Sequence, residues 1–374
     1  MFVTRRWLAG MLVVAAVWGC STTSPRVAPV PTVTAEPVSP WKVPVYPDST
    51  WERYPQPELA GYRSAALDSV SQFLTNLATT GLVVTVHGRI LYTHGDDTAQ
   101  SYLASARKSV LSMLYGNYVE QGKVRLDATL AELGIDDRPP LTPEEKQATV
   151  RHLLMTSSGV FHAASNPGDN LDSAPPRGSQ KPGEYFLYSN WDFNALGTIF
   201  EQETGQSIYD ALERDLVKPI GMQDFDRATH RRTGDAKRSI HLAYHMNFST
   251  RDMARLGYLM LREGNWNGRQ VVPRDWARRI VAVVTPVGEM NPPANRKGPF
   301  GYGYLWWVWD GKAVAGSFEG AYTGRGAIGQ YITVLPKLDL VIAHKTRPGG
   351  ASVSWGPYME LVNGILAARC SPTR

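Results

Sequence analysis

Ser105-Ala106-Arg107-Lys108-Ser109-Val110-Leu111-Ser112-Met113-Leu114-Tyr115-Gly116-Asn117-Tyr118 sets a serine three residues ahead of a lysine, at the head of a stretch with helical apolar spacing. Residues three apart share a helix face, so Lys108 is expected beside Ser105 with one turn between them. The apolar flank would bury that turn, and burial favours an uncharged lysine able to accept a proton. A serine hydroxyl is a poor nucleophile without such a base. At the first turn, Ser105 would also benefit from the helix dipole and free amides wherever negative charge develops.

Working outward, Gly81–Val86 and Arg89–Thr93 read as two strands joined at His87-Gly88, preceded by a helix over 64–79. Downstream, Tyr302–Trp309, Ala313–Ala315, Gln330–Leu335 and Leu338–Ala343 read as strands before a last helix near 355–368. The section between, about 105–295, reads as mainly helical, with helices over 191–203, 207–217 and 250–264. Strands at both chain ends with helices between imply an α+β fold, in which the termini build one sheet and a helical subdomain is inserted. A ligand cleft is expected between the two parts.

Alone, S-x-x-K is weak, since about one match arises by chance in such a chain. Ser39-Pro40-Trp41-Lys42 is another, rejected because Pro40 denies it a helix. The bland readings are an N-cap serine and a solvated lysine. Tyr188-Ser189-Asn190 shifts the balance. It follows a turn at Pro182-Gly183 and an aromatic run, and precedes the helix from Trp191. A tyrosine beside a Ser–Lys pair can shuttle protons, its acidity raised by a neighbouring cation, and Asn190 can hold both the lysine and a substrate carbonyl. Tyr115-Gly116-Asn117 fits the same pattern but lies about 15 Å along the Ser105 helix. Finally, Gly324-Arg325-Gly326-Ala327-Ile328-Gly329 formally matches a dinucleotide fingerprint, yet leads into a strand where that motif needs a helix. A glycine-rich strand lining a cleft serves better as a backbone donor, and Gly326 and Ala327 are the candidate partners of the Ser105 amide in an oxyanion hole.

These three elements, in this order, resemble the serine β-lactamase and penicillin-binding-protein-like hydrolases, most of all the branch of class C β-lactamases, family VIII carboxylesterases and 6-aminohexanoate-dimer hydrolases. Connecting text agrees, including Thr149–Gly159, Trp191–Gly197, Leu216–Met222 and Arg251–Gly257, so the similarity spans roughly residues 60–368. The resemblance implies Ser105 as acyl-forming nucleophile, Lys108 and Tyr188 as general-base pair, Asn190 as a positioning residue, and an antiparallel sheet flanked by terminal helices. Penicillin-recognising members carry Lys-Thr-Gly on the third strand, the lysine helping to bind a substrate carboxylate. Here Ala321-Tyr322-Thr323-Gly324 has no lysine, and Lys345-Thr346-Arg347 closes the following strand. The expected activity is therefore cleavage of a small ester or amide. A β-lactamase or cell-wall peptidase is the alternative, and a non-catalytic binding protein on the same scaffold is a third reading. Trp306, Trp307, Trp309, Tyr322 and Phe161 are candidate cleft aromatics or core packing.

At 374 residues, with 43% hydrophobic and 20% charged residues, the composition is that of a globular protein. The net charge of +5 is spread along the chain without the basic blocks of a nucleic-acid binder. No cofactor motif or metal-ligand spacing is expected. Arg5-Arg6, the apolar run Trp7–Gly19 and Cys20 read as a signal over 1–20 that resembles a bacterial lipobox. Lipidation at Cys20 would tether an exported protein to the cell envelope, facing the periplasm, and Ser21 is compatible with the outer membrane. An ordinary cleaved signal or a buried helix is the competing reading. Proline-rich residues 21–58 suit a tether, and 59–370 the folded domain. Cys370 is left as a lone thiol or a partner of Cys20.

Overall fold

The computed structural model describes residues 39–370; the signal, Cys20 and residues 21–38 of the proline-rich segment lie outside them. The frame is a seven-stranded, wholly antiparallel sheet. Its strands are β1 (Gly81–Val86), β2 (Arg89–Gly95), β3 (Phe300–Tyr302), β4 (Trp307–Trp309), β5 (Tyr322–Gly326), β6 (Gln330–Leu335) and β7 (Leu340–Lys345), in the order β2-β1-β7-β6-β5-β4-β3. The β1–β7 seam, running from Gly81 opposite Lys345 to Val86 opposite Leu340, joins the two chain ends as the sequence implies.

Alternation builds the layers. Leu82, Val84, Val86 and Ile342 enter one apolar cluster with helices α1 (Ser64–Leu74) and α5 (Trp355–Ala367). Val83, Val341, Ala343 and Ile332 enter another with α2 (Arg107–Glu120), α3 (Asn190–Thr204) and α4 (Thr250–Leu261). Both faces of the central strands are thus covered, which is why they read as unbroken apolar runs.

Several sequence expectations are corrected. Tyr302–Trp309 is not one strand but two, folded back with Tyr302 opposite Trp307; Leu305 takes a left-handed φ of 64°, and Ser109 Oγ donates to its carbonyl at 2.7 Å. Ala313 belongs to a 3₁₀ turn, Gly311–Val314. The 105–295 section interleaves its helices with long irregular stretches, two short two-stranded ladders and one strand of a third, whose partner is Ser101–Tyr102. Residues 39–58 are folded onto the body. Trp51 and Tyr54 are buried, Glu52 and Tyr54 share main-chain bonds with Ile90 on the β2 edge (Tyr54 N to Ile90 O, 3.0 Å; Ile90 N to Glu52 O, 2.9 Å), and Arg255 donates to the carbonyls of Pro47 and Asp48. A proline-rich stretch cannot be a helix, but its carbonyls remain good acceptors and can cap an exposed sheet edge.

Candidate active site

The turn Ala104–Ala106 carries Ser105 immediately before α2. It is anchored by buried Leu103, whose amide donates to Met246 O at 2.9 Å, and Ala104 is held at φ 48°, a left-handed conformation that costs a residue with a Cβ about 1 kcal/mol or more. One turn on, Lys108 is 1% exposed. Its Nζ lies 3.0 Å from Ser105 Oγ, 2.7 Å from Tyr188 Oη and 2.7 Å from Asn190 Oδ1, and 4.3 and 4.2 Å from the ring centres of Tyr188 and Phe193. All four sequence-derived residues therefore meet at one amine.

Tyr188 and Asn190 arrive on a braced loop. Thr156, from the Thr149–Gly159 stretch, donates its hydroxyl to Leu187 O (2.7 Å) and accepts from Ser189 N (3.1 Å). Ser189 caps α3 by accepting from Asp192 N. Asn190 Nδ2 donates to Pro167 O at 2.9 Å, which obliges Oδ1 to face the lysine. Its amide donates to Asp169 at 3.1 Å.

Burial first, then the adjacent Arg107 guanidinium, holds the Lys108 amine well below the usual lysine range, with Asp169 opposing. For Tyr188 the expectation of raised acidity is overturned. Burial lifts the phenol above its ordinary value, despite the downward pull of the Ser105 hydrogen bond and of Arg107 and Arg325. The physical reason is desolvation, which disfavours the phenolate by more than the Ser105 hydrogen bond and the two guanidinium groups favour it.

The glycine-rich stretch forms β5, a turn and β6, not a nucleotide loop. A Cβ on Gly326 would stand 2.6 Å from Leu103 O and 3.1 Å from Ala104 Cβ, so only glycine lets this strand approach the nucleophile turn so closely. Gly326 and Ala327 line a cavity of about 310 Å³ together with Ser105, Tyr188 and Trp307. The amides of Ser105 and Ala327 make no main-chain hydrogen bond among the described residues. Of the five candidate aromatics, Trp307 lines this cavity and stacks on Tyr188 at 5.5 Å, whereas Trp306 and Tyr322 are buried in the core. Tyr115 is core too, donating to Leu196 O. Lys345 lies away from the cavity, its amine given to the carbonyls of Ser101 and Phe248. Sequence reasoning missed Arg325, which lines the cavity; a lone arginine within a glycine-rich stretch carries no motif of its own.

This sheet, this helical insertion and a Ser–Lys–Tyr cluster at their junction define a β-lactamase-type fold. A family model described as Beta-lactamase matches residues 68–347, and the chain belongs to that family, a family of hydrolases. It is 25% identical over 272 residues to an uncharacterized protein of Alkalihalophilus pseudofirmus, covering 66% of this chain and 73% of the other. With Esterase EstB of Burkholderia gladioli it shares 27% identity over 198 residues, 43% of this chain and 50% of the esterase. Among solved structures, a putative 6-aminohexanoate-dimer hydrolase from Bacillus anthracis superposes with a TM-score of 0.61 at 18% identity, covering 88% of each chain. A penicillin-binding protein homolog from Caulobacter crescentus gives 0.59 at 16% identity, covering 81% of this chain and 97% of the other. At these identities the structures establish the fold alone.

Proposed function

We propose that the protein is a serine hydrolase of esterase or amide-hydrolase type, acting through an acyl-enzyme on Ser105. The observation that carries the reading is a buried amine held within 3.0 Å of both the Ser105 and Tyr188 hydroxyl oxygens. A neutral amine has two hydrogens and one lone pair. Asn190 Oδ1 only accepts, so it takes one N–H. With the second N–H on Tyr188 Oη, the lone pair faces the Ser105 hydroxyl and removes its proton as Oγ bonds to the substrate carbonyl carbon. The oxyanion is met by the free amides of Ser105 and Ala327, beside Gly326. Lys108 returns the proton through Tyr188 to the departing alcohol or amine as the bond to the leaving group breaks. Water then adds to the acyl-enzyme by the same relay, releasing the acid and restoring Ser105.

The esterase similarity and the missing third-strand lysine favour simple esters or amides over β-lactams. Ser105→Ala should lower turnover of a p-nitrophenyl ester at least about a thousandfold and abolish labelling by a fluorophosphonate, with unchanged circular dichroism. Undiminished turnover would remove Ser105 from the mechanism, and rapid cephalosporin hydrolysis by the unaltered protein would favour the β-lactamase alternative. Export and lipid attachment at Cys20 are proposed on the sequence alone. Incorporation of a palmitate analogue that persists in Cys20→Ala would refute them.

A further inference from the structure

We propose that Arg325 makes the cavity beside Ser105 a subsite for a carboxylate, so that the preferred esters or amides carry an anionic group near the scissile bond. The proposal rests on the reading of Ser105 as nucleophile and names the substrate class that site would take.

Arg325 is on β5, one residue before Gly326, and its side chain lines the same cavity as Ser105. Among the described residues that line that cavity it alone carries a formal charge. The guanidinium carbon lies 4.6 Å from the Trp355 ring centre, 4.8 Å from Trp307 and 5.1 Å from Phe300. These contacts are cation–π in character and fix the group without using its N–H donors. Other partly buried arginines here do use them: Arg177 on Glu145, Arg232 on Glu201, Arg251 on Asp224, Arg262 on Asp339. For Arg325 no hydrogen bond or ion pair to any described residue replaces water on the guanidinium edge. Burial lowers its pKa, and what opposes this comes from the phenols of Tyr331 and Tyr188, with no carboxylate contributing. A five-donor planar fork held face-on by rings, with its edge unclaimed, is built to accept a carboxylate in bidentate fashion.

Position supports the assignment. Trp307 lies between Arg325 and Tyr188, touching both, so the charge sits one indole ring from the proton relay. Ser352 and Ser354 line the same cavity; Ser354 precedes α5 without making a side-chain capping bond, leaving its hydroxyl for a ligand. The Lys-Thr-Gly lysine is absent from this strand, and Arg325 follows Gly324 in the alternate register. Gly324 and Gly326 face α2 and the nucleophile turn, whereas Arg325 leaves the strand on the side of Trp355.

The test compares mono-(p-nitrophenyl) glutarate with its methyl-capped diester, which differ in one charge. The unaltered protein should prefer the monoacid by about tenfold or more in kcat/KM, as expected for a charge-assisted pair, with the gain in KM. Arg325→Gln should bring the ratio near one, and Arg325→Lys should restore part of it. Equal use of both esters by the unaltered protein, or a ratio unchanged in Arg325→Gln, would overturn the subsite. Binding of monomethyl glutarate to Ser105→Ala, followed by tryptophan fluorescence, separates the two readings. Saturable binding lost on adding Arg325→Gln supports the subsite even if no ester is hydrolysed, and absence of binding overturns it even if esters are.

Discussion

Lys108 is the residue on which the chemistry turns, because burial and a neighbouring guanidinium outweigh the partners that would keep it charged. Among the described residues no carboxylate touches its amine. Its neighbours are two hydroxyls, an amide oxygen and two aromatic rings, and Arg107 adds like-charge repulsion. The sign follows directly. The base is competent only when unprotonated, so kcat/KM for a neutral ester should rise with pH through one acid limb lying well below the ordinary lysine range near 10.5. Tyr188, lifted above its ordinary 10.0, should stay protonated across neutral pH and cause no alkaline fall below that value. A steady-state profile from pH 5 to 10 checks this, and an acid limb near 10 would mean that Lys108 is charged in the resting enzyme. The Ser105–Lys108 spacing was legible because helix geometry alone places the two together. The direction of the Tyr188 shift was not, because it depends on burial among Phe193, Tyr302 and Trp307, and the last two are remote in sequence.

At the scale of elements, catalysis depends on how closely one strand approaches one turn. β5 can lie against Leu103 and Ala104 only because Gly326 has no side chain. Gly326→Ala would put a carbon 2.6 Å from a main-chain oxygen, and neither neighbour is a flexible tip that could yield. The strand must move, taking the Ala327 amide with it. We expect a loss of about 1–3 kcal/mol in stability and at least about tenfold in kcat, the larger part through the displaced donor. Thermal melts and ester kinetics measure both, and a variant with unaltered kcat would show that this amide is not part of the oxyanion site. Sequence reading recovered most elements here, since α1, α3, α4, α5 and the β1–β2 pair follow plain apolar periods. It failed where a long-range contact overrides the local pattern. The β3–β4 fold-back is pinned by Ser109 and Ser112 of α2, and residues 39–58 are ordered by an edge strand and by Arg255, all remote in sequence.

Across the whole molecule, the sheet that unites the chain ends also couples the site to acid stability. His344 on β7 is fully buried. Its Nδ1 lies 2.8 Å from Gly329 O, in the turn that carries Ala327, and its Nε2 lies 2.9 Å from Thr79 Oγ1. A carbonyl can only accept, so Nδ1 bears the hydrogen and Nε2 accepts from the threonine, which makes the ring neutral. Burial pushes His344 down to about 4, and likewise His230 and His245 to about 4. Between that value and the ordinary 6.5 the unfolded chain binds protons that the native one refuses. Stability from these groups is therefore complete above about pH 6.5 and is lost as pH falls toward 4, by at most about 3 kcal/mol for His344. Asp192 acts oppositely. Burial lifts it from 3.8 to about 8, so its contribution declines as pH rises through that interval. In His344→Gln the amide can still donate to Gly329 and accept from Thr79 but cannot titrate. Its melting temperature should start lower at pH 7 and fall less steeply toward pH 4.5 than that of the unaltered protein. Parallel slopes would mean that the turn beneath the site is not held by an uncharged ring.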